Sequence, residues 1–104
     1  ALGEALKRFP DSPEAARAQM TIGDAYFQAG KRYQEALTAY TAVITNYKDP
    51  EVVPDAYYKQ GLTYEQLGQK DAARKSYEQV RTLYPNSSAS TLATMALKRL
   101  GFIK

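Results

Sequence analysis

A fifteen-residue stretch recurs along this chain at nearly fixed intervals, and a chain that repeats itself must bury the face of one unit against the next. Phe9 to Gly23 and Tyr47 to Gly61 align without gaps, and Tyr84 to Lys98 aligns more weakly; the starts lie 38 and then 37 residues apart. After Gly23 and after Gly61 the same order follows. Tyr26 or Tyr64 stands three positions on, then comes Gly30 or Gly68, then Ala36, Tyr40 and Val43 in one unit and Ala73, Tyr77 and Val80 in the other. A chain of 104 residues has room for one domain of such units, not two.

Both halves of the unit carry helical periodicity. Ala18, Ile22, Ala25, Tyr26 and Ala29 recur at three- and four-residue steps, as do Tyr33, Ala36, Leu37, Tyr40, Val43, Ile44 and Tyr47, so each set forms one apolar stripe. Gly30 and Gly68 stand where a helix would end, because glycine takes the left-handed C-cap conformation without a steric penalty. Ser12, Pro13 and Glu14 read as a helix start, and Asn86 and Ser87 offer the cap of the last helix. The pattern predicts helices at about 1–8, 13–29, 32–46, 54–67, 70–83 and 88–100. Gly23 and Gly61 fall inside helices, where each costs on the order of 1 kcal/mol relative to alanine. A cost incurred twice in register points to one reason, the close approach of a partner helix, with the small Ala36 and Ala73 facing the glycines.

Composition removes most enzyme chemistry. The sequence has no Cys, His or Trp, which excludes thiolate nucleophiles, disulfides, imidazole bases and zinc fingers. No metal site or cofactor is expected: Asp49, Glu51 and Asp55 flank a loop holding Pro50 and Pro54, but without alternating oxygen ligands and a turn glycine they read as a solvated helix entry. Net charge is +3, and the basic residues are scattered in pairs rather than gathered on one stretch, which argues against nucleic acid. The longest apolar run, Leu92 to Leu97, is far short of the roughly 20 residues that span a bilayer. The start at Ala1 reads as a piece cut from a longer array or as a processed product, and leaves an upstream signal peptide or anchor open.

Gly61, Tyr64, Gly68, Ala73, Tyr77, Val80 and Tyr84-Pro85 resemble the tetratricopeptide repeat, which places a small residue, Tyr, Gly, Ala, an aromatic and Pro in that order. Repeat one departs from it by an extra residue in Gly30-Lys31-Arg32-Tyr33 and by Lys48-Asp49-Pro50 where Tyr-Pro would stand. The resemblance implies an all-α, right-handed α-solenoid of helix hairpins. Residues 1–10 would be the tail of a preceding repeat helix, 11–47 repeat one, 48–85 repeat two and 86–104 a terminal helix. It also implies a concave groove lined by Arg17, Met20, Asp24, Phe27 and Gln28, by Asp55, Tyr58, Leu62, Glu65 and Gln66, and by Leu92, Met95 and Arg99. Such a surface suits a protein or peptide partner. Members that clamp a C-terminal carboxylate do so with Asn and Lys or Arg, and the matching slots here carry Asp24 and Leu62, which would repel a carboxylate or ignore it.

Nine tyrosines raise the prospect of a stacking surface, but Tyr26, Tyr40, Tyr64, Tyr77 and Tyr84 fill repeat packing slots, and Tyr33 and Tyr47 extend the same stripe. Tyr57 and Tyr58 are left for outward work. The last helix carries Ala89, Leu92, Ala93, Ala96, Leu97 and Leu100 on one stripe and reads as a terminal capping helix, which puts Leu100, Phe102 and Ile103 at risk of exposure, where they could bind another chain. A monomer or weak dimer is expected. The phrases Phe9-Pro10-Asp11-Ser12-Pro13 and Tyr84-Pro85-Asn86-Ser87-Ser88 are similar to the C-terminal domain of the periplasmic cell-division coordinator family of the Tol-Pal system. That resemblance implies a non-enzymatic periplasmic adaptor whose precursor has a signal peptide. Its partners would be the inner-membrane protein TolA and peptidoglycan-synthesis proteins, and an N-terminal coiled coil would trimerise it. Tetratricopeptide lipoproteins of outer-membrane assembly share the same style, and a generic bacterial adaptor stands beside them.

Overall fold

The computed structural model describes residues 13–104, and these form five α-helices: α1 Pro13–Gln28, α2 Tyr33–Asn46, α3 Val53–Gln66, α4 Lys70–Leu83 and α5 Ser88–Arg99. Each bound lies within one residue of the sequence-based expectation. The helix expected at 1–8 and the Ser12 cap fall outside the described residues, among which there is no strand.

Gly30 and Gly68 adopt φ of +78° and +77°, and Gly101 repeats the device after α5 at +85°. Past Gly68 the Gln69 N–H donates to the Tyr64 carbonyl at 2.8 Å, so the last carbonyls of α3 keep partners. The turn between α1 and α2 is one residue longer than that between α3 and α4, as the Gly30 to Tyr33 stretch implies. Of the two offered caps, Ser87 is the one used: its Oγ accepts the Ser90 N–H at 3.0 Å, an interaction worth on the order of 1 kcal/mol.

Short turns make α1 with α2, and α3 with α4, antiparallel pairs; α2 then packs on α3, and α5 on both α3 and α4. One side chain knits three of these helices together. Gln60 on α3 donates to Thr41 on α2 at 3.0 Å and accepts from Ser76 on α4 at 2.8 Å. The described residues form a slab of 45 × 31 × 17 Å with a radius of gyration of 13.4 Å, against about 12 Å for a compact globule of that length. The structure is layered and elongated, not a closed ball.

Two apolar clusters hold it. One joins Met20, Tyr40, Val43, Val52 and Val53 across α1, α2 and the entry to α3; the other joins Tyr77, Val80, Ala93 and Leu97 across α4 and α5. Tyr57 and Tyr84 pack against both and tie them. Tyr57 and Tyr58, expected to be free for outward work, are therefore part of the packing: Tyr58 lies against the second cluster with its ring 5.9 Å from that of Tyr77.

The helix glycines have a packing reason, and the partner is a tyrosine ring. A Cβ on Gly23 would lie 2.6 Å from Tyr40, and one on Gly61 closer still to Tyr77; Ala36 and Ala73, one turn before those tyrosines, are fully buried. Of the stripe expected for α1, Ala18 is buried, and Ile22 and Tyr26 are half-buried, but the docking leaves two of its residues outside. With Gly23 and Met20 inward, Ala25 sits about 200° around the helix from Gly23, and it and Ala29 are exposed. At the far end the chain folds back after Gly101, placing the Phe102 N–H 3.0 Å from the Leu97 carbonyl and the Arg74 guanidinium 5.3 Å over the Phe102 ring. Leu100, Phe102 and Ile103, at risk of exposure beside a capping helix, are thus half-buried on the second cluster. Among the described residues the exposed large apolar side chains are Leu83, Leu92 and Met95.

Candidate functional site

The two repeats build the same device on the side lined by α1, α3 and α5. Each buried tyrosine lies over a glycine of its partner helix and its hydroxyl donates a hydrogen bond to a carboxylate on that helix, Tyr40 to Asp24 and Tyr77 to Glu65. Each carboxylate is also held by a cation from the next odd-numbered helix. Lys59 of α3 reaches Asp24 of α1 at 2.7 Å, and Arg99 of α5 grips both oxygens of Glu65 at 2.8 and 2.9 Å. Tyrosine, acid and cation thus join three helices at each step of the stack.

The charges respond to this arrangement. The Arg99 guanidinium holds the Glu65 carboxyl below its usual range, with Tyr77 and the nearby Lys70 adding to the effect against burial. Burial, then the hydrogen bond to a carboxylate, pushes the phenols of Tyr40 and Tyr77 far above the ordinary tyrosine value, so both remain donors. Asp55 is raised instead: desolvation leads, Lys59 opposes it and the charge of Asp24 adds to it.

Two clefts open between α1 and α3. The smaller, about 110 Å³, is lined by Asp24, Phe27, Gln28, Tyr40, Lys59 and Leu62; the larger, about 400 Å³, by Arg17, Met20, Thr21, Asp24, Glu51, Val52, Asp55 and Lys59. Seven of the thirteen groove residues expected from sequence line one or both: Arg17, Met20, Asp24, Phe27, Gln28, Asp55 and Leu62. Met20 does so from within the core, at 8% exposure. Glu65 and Arg99 are brought together further along as an ion pair, Gln66 is exposed at the end of α3, and Tyr58 is half-buried against Tyr77. Leu92 and Met95 share a face of α5 with Arg99 and are open to solvent at 42% and 60%.

Sequence reasoning missed Lys59, which lines both clefts, and Glu51, which pairs with Arg17 at 3.4 Å. Lys59 also alters the expectation that Asp24 would repel a carboxylate, since an ammonium stands beside it. Among the described residues no three carboxylates gather into a group that could hold a metal ion, and no helix is long and apolar enough to cross a membrane.

Family models described as the tetratricopeptide repeat match residues 1–50 and 55–87. This is a tetratricopeptide repeat domain. The second match runs over α3 and α4, and the first includes α1 and α2, the two hairpins described above. Tetratricopeptide repeats are protein–protein interaction modules, typically without enzymatic activity, and stacked hairpins of this kind present a concave wall to their partners. Neither a curated protein nor a solved structure matches the chain.

Proposed function

We propose that the domain is a non-enzymatic adaptor that captures a segment of another protein along α1, α3 and α5, in a stack with the right-handed superhelical sense of its family. The carrying observation is the pair of open clefts between α1 and α3, where apolar side chains and charged groups alternate within reach of one bound strand or helix. Catalysis finds no support in the residue types: histidine and cysteine are absent from the chain, and the carboxylates of Asp24 and Glu65 are engaged in ion pairs.

On the resemblance of the Phe9-Pro10 and Tyr84-Pro85 phrases, we further propose a periplasmic role beside the Tol-Pal system, with TolA as partner. Calorimetric titration of purified TolA into the domain tests both parts. Binding is expected, and Leu62→Ala, which empties the apolar wall of the smaller cleft, should weaken it about tenfold, in line with roughly 1.5–3 kcal/mol for a buried Leu that is only half-covered here. No binding removes TolA; binding that Leu62→Ala leaves unchanged removes the groove.

A further inference from the structure

The proposed groove has an uneven charge balance that describes the segment it suits. The whole chain is net positive at +3, yet the clefts between α1 and α3 hold two cations, Arg17 and Lys59, against three carboxylates, Asp24, Glu51 and Asp55. Pairing uses up both cations: Arg17 meets Glu51 at 3.4 Å and Lys59 meets Asp24 at 2.7 Å. Among the described residues Asp55 forms no ion pair at the mouth of the larger cleft, and Lys59, one turn along α3 and bound to Asp24, compensates its charge only in part.

The neighbouring small cleft is different in kind. Phe27 and Leu62 give it apolar walls, Tyr40 forms part of its lining, and its volume of about 110 Å³ suits one aliphatic side chain, being smaller than the engineered void of about 150 Å³ that holds benzene. Asp55 and Leu62 are seven residues apart on α3, two helical turns, which is about 10.5 Å of rise. An extended strand advances about 3.3 Å per residue, so three residues cover that distance.

We propose that the concave clefts select an extended segment carrying a Lys or Arg followed three residues later by Leu, Ile or Met, the cation on Asp55 and the aliphatic side chain between Phe27 and Leu62. This deepens the adaptor reading and rests on it. The Lys59–Asp24 pair lines both clefts and separates the two subsites, so the order of charge and apolar group along the segment is read as well as its content.

The test is a nitrogen-15 NMR titration of the domain with four eight-residue peptides in a Gly/Ser background. One carries Lys and Leu three apart; the others carry Glu for Lys, Ala for Leu, or the two side chains in reversed order. The first should shift amides of α1 and α3 and saturate. The Glu peptide should bind more than tenfold more weakly, the Ala peptide about tenfold, the reversed one measurably less well, and Asp55→Asn should cost the Lys peptide about fivefold while tightening the Glu peptide by relieving its repulsion. Equal binding by the Glu or reversed peptide at α1 and α3 overturns the stated specificity and leaves the groove itself standing. Shifts confined to α2 and α4 overturn the adaptor reading with it.

Discussion

At the scale of single residues, the fold turns on two helix glycines. Gly23 and Gly61 forgo about 1 kcal/mol of helix propensity each so that a fully buried tyrosine ring can sit where a Cβ would be. Gly61→Ala should therefore destabilise the domain by about 2 kcal/mol, because overpacking against Tyr77 outweighs the gain in propensity. Urea unfolding measures this, and a stability equal to or above the parent would contradict it. The glycines were legible because they recur in register, and so were the tyrosines as packing residues. Their joint geometry was not: the carboxylate that takes the hydroxyl follows Gly23 by one residue but Gly61 by four, positions on one helix face that a gap-free alignment does not equate.

At the scale of helices, neighbouring repeats are fastened by an acid and a cation over a buried phenol. Glu65, with its side chain 13% exposed, is the better shielded of the two acids. Arg99 keeps its folded-state pKa below that of the unfolded chain, near 4.3, so on acidification the unfolded chain takes up the proton first. The stability contributed by this group is complete above about pH 4.3 and is lost as pH falls through the folded value. Thermal midpoints measured from about pH 6 down to pH 3 should fall, and Glu65→Gln should remove part of that slope while lowering stability at neutral pH. A slope unaltered by Glu65→Gln would contradict the fastening. Helix ends were readable to one residue because glycine turns, a serine cap and periodicity agree, but Lys59 was missed because it pairs across 35 positions with a residue of another repeat, where no local pattern points. Ala25 and Ala29 were misplaced on the α1 stripe for the same reason, since the facing of that helix is decided by a ring from α2.

At the scale of the whole molecule, the repeat interval is what makes an elongated slab rather than a ball: each hairpin buries one face on the next, and Tyr57 and Tyr84 join the two cores. That much follows from a spacing of 37 to 38 residues. What the wall of α1, α3 and α5 takes hold of depends on which charges remain after the chain has paired its own, a property of the assembled surface. Site-specific photocrosslinking in the cell examines that wall most directly, with a photoreactive residue placed at Gln28 on the cleft side and, separately, at Thr38, which is exposed on α2. A discrete protein adduct from Gln28 and none from Thr38 is expected; adducts from Thr38 alone would contradict partner capture by the concave face.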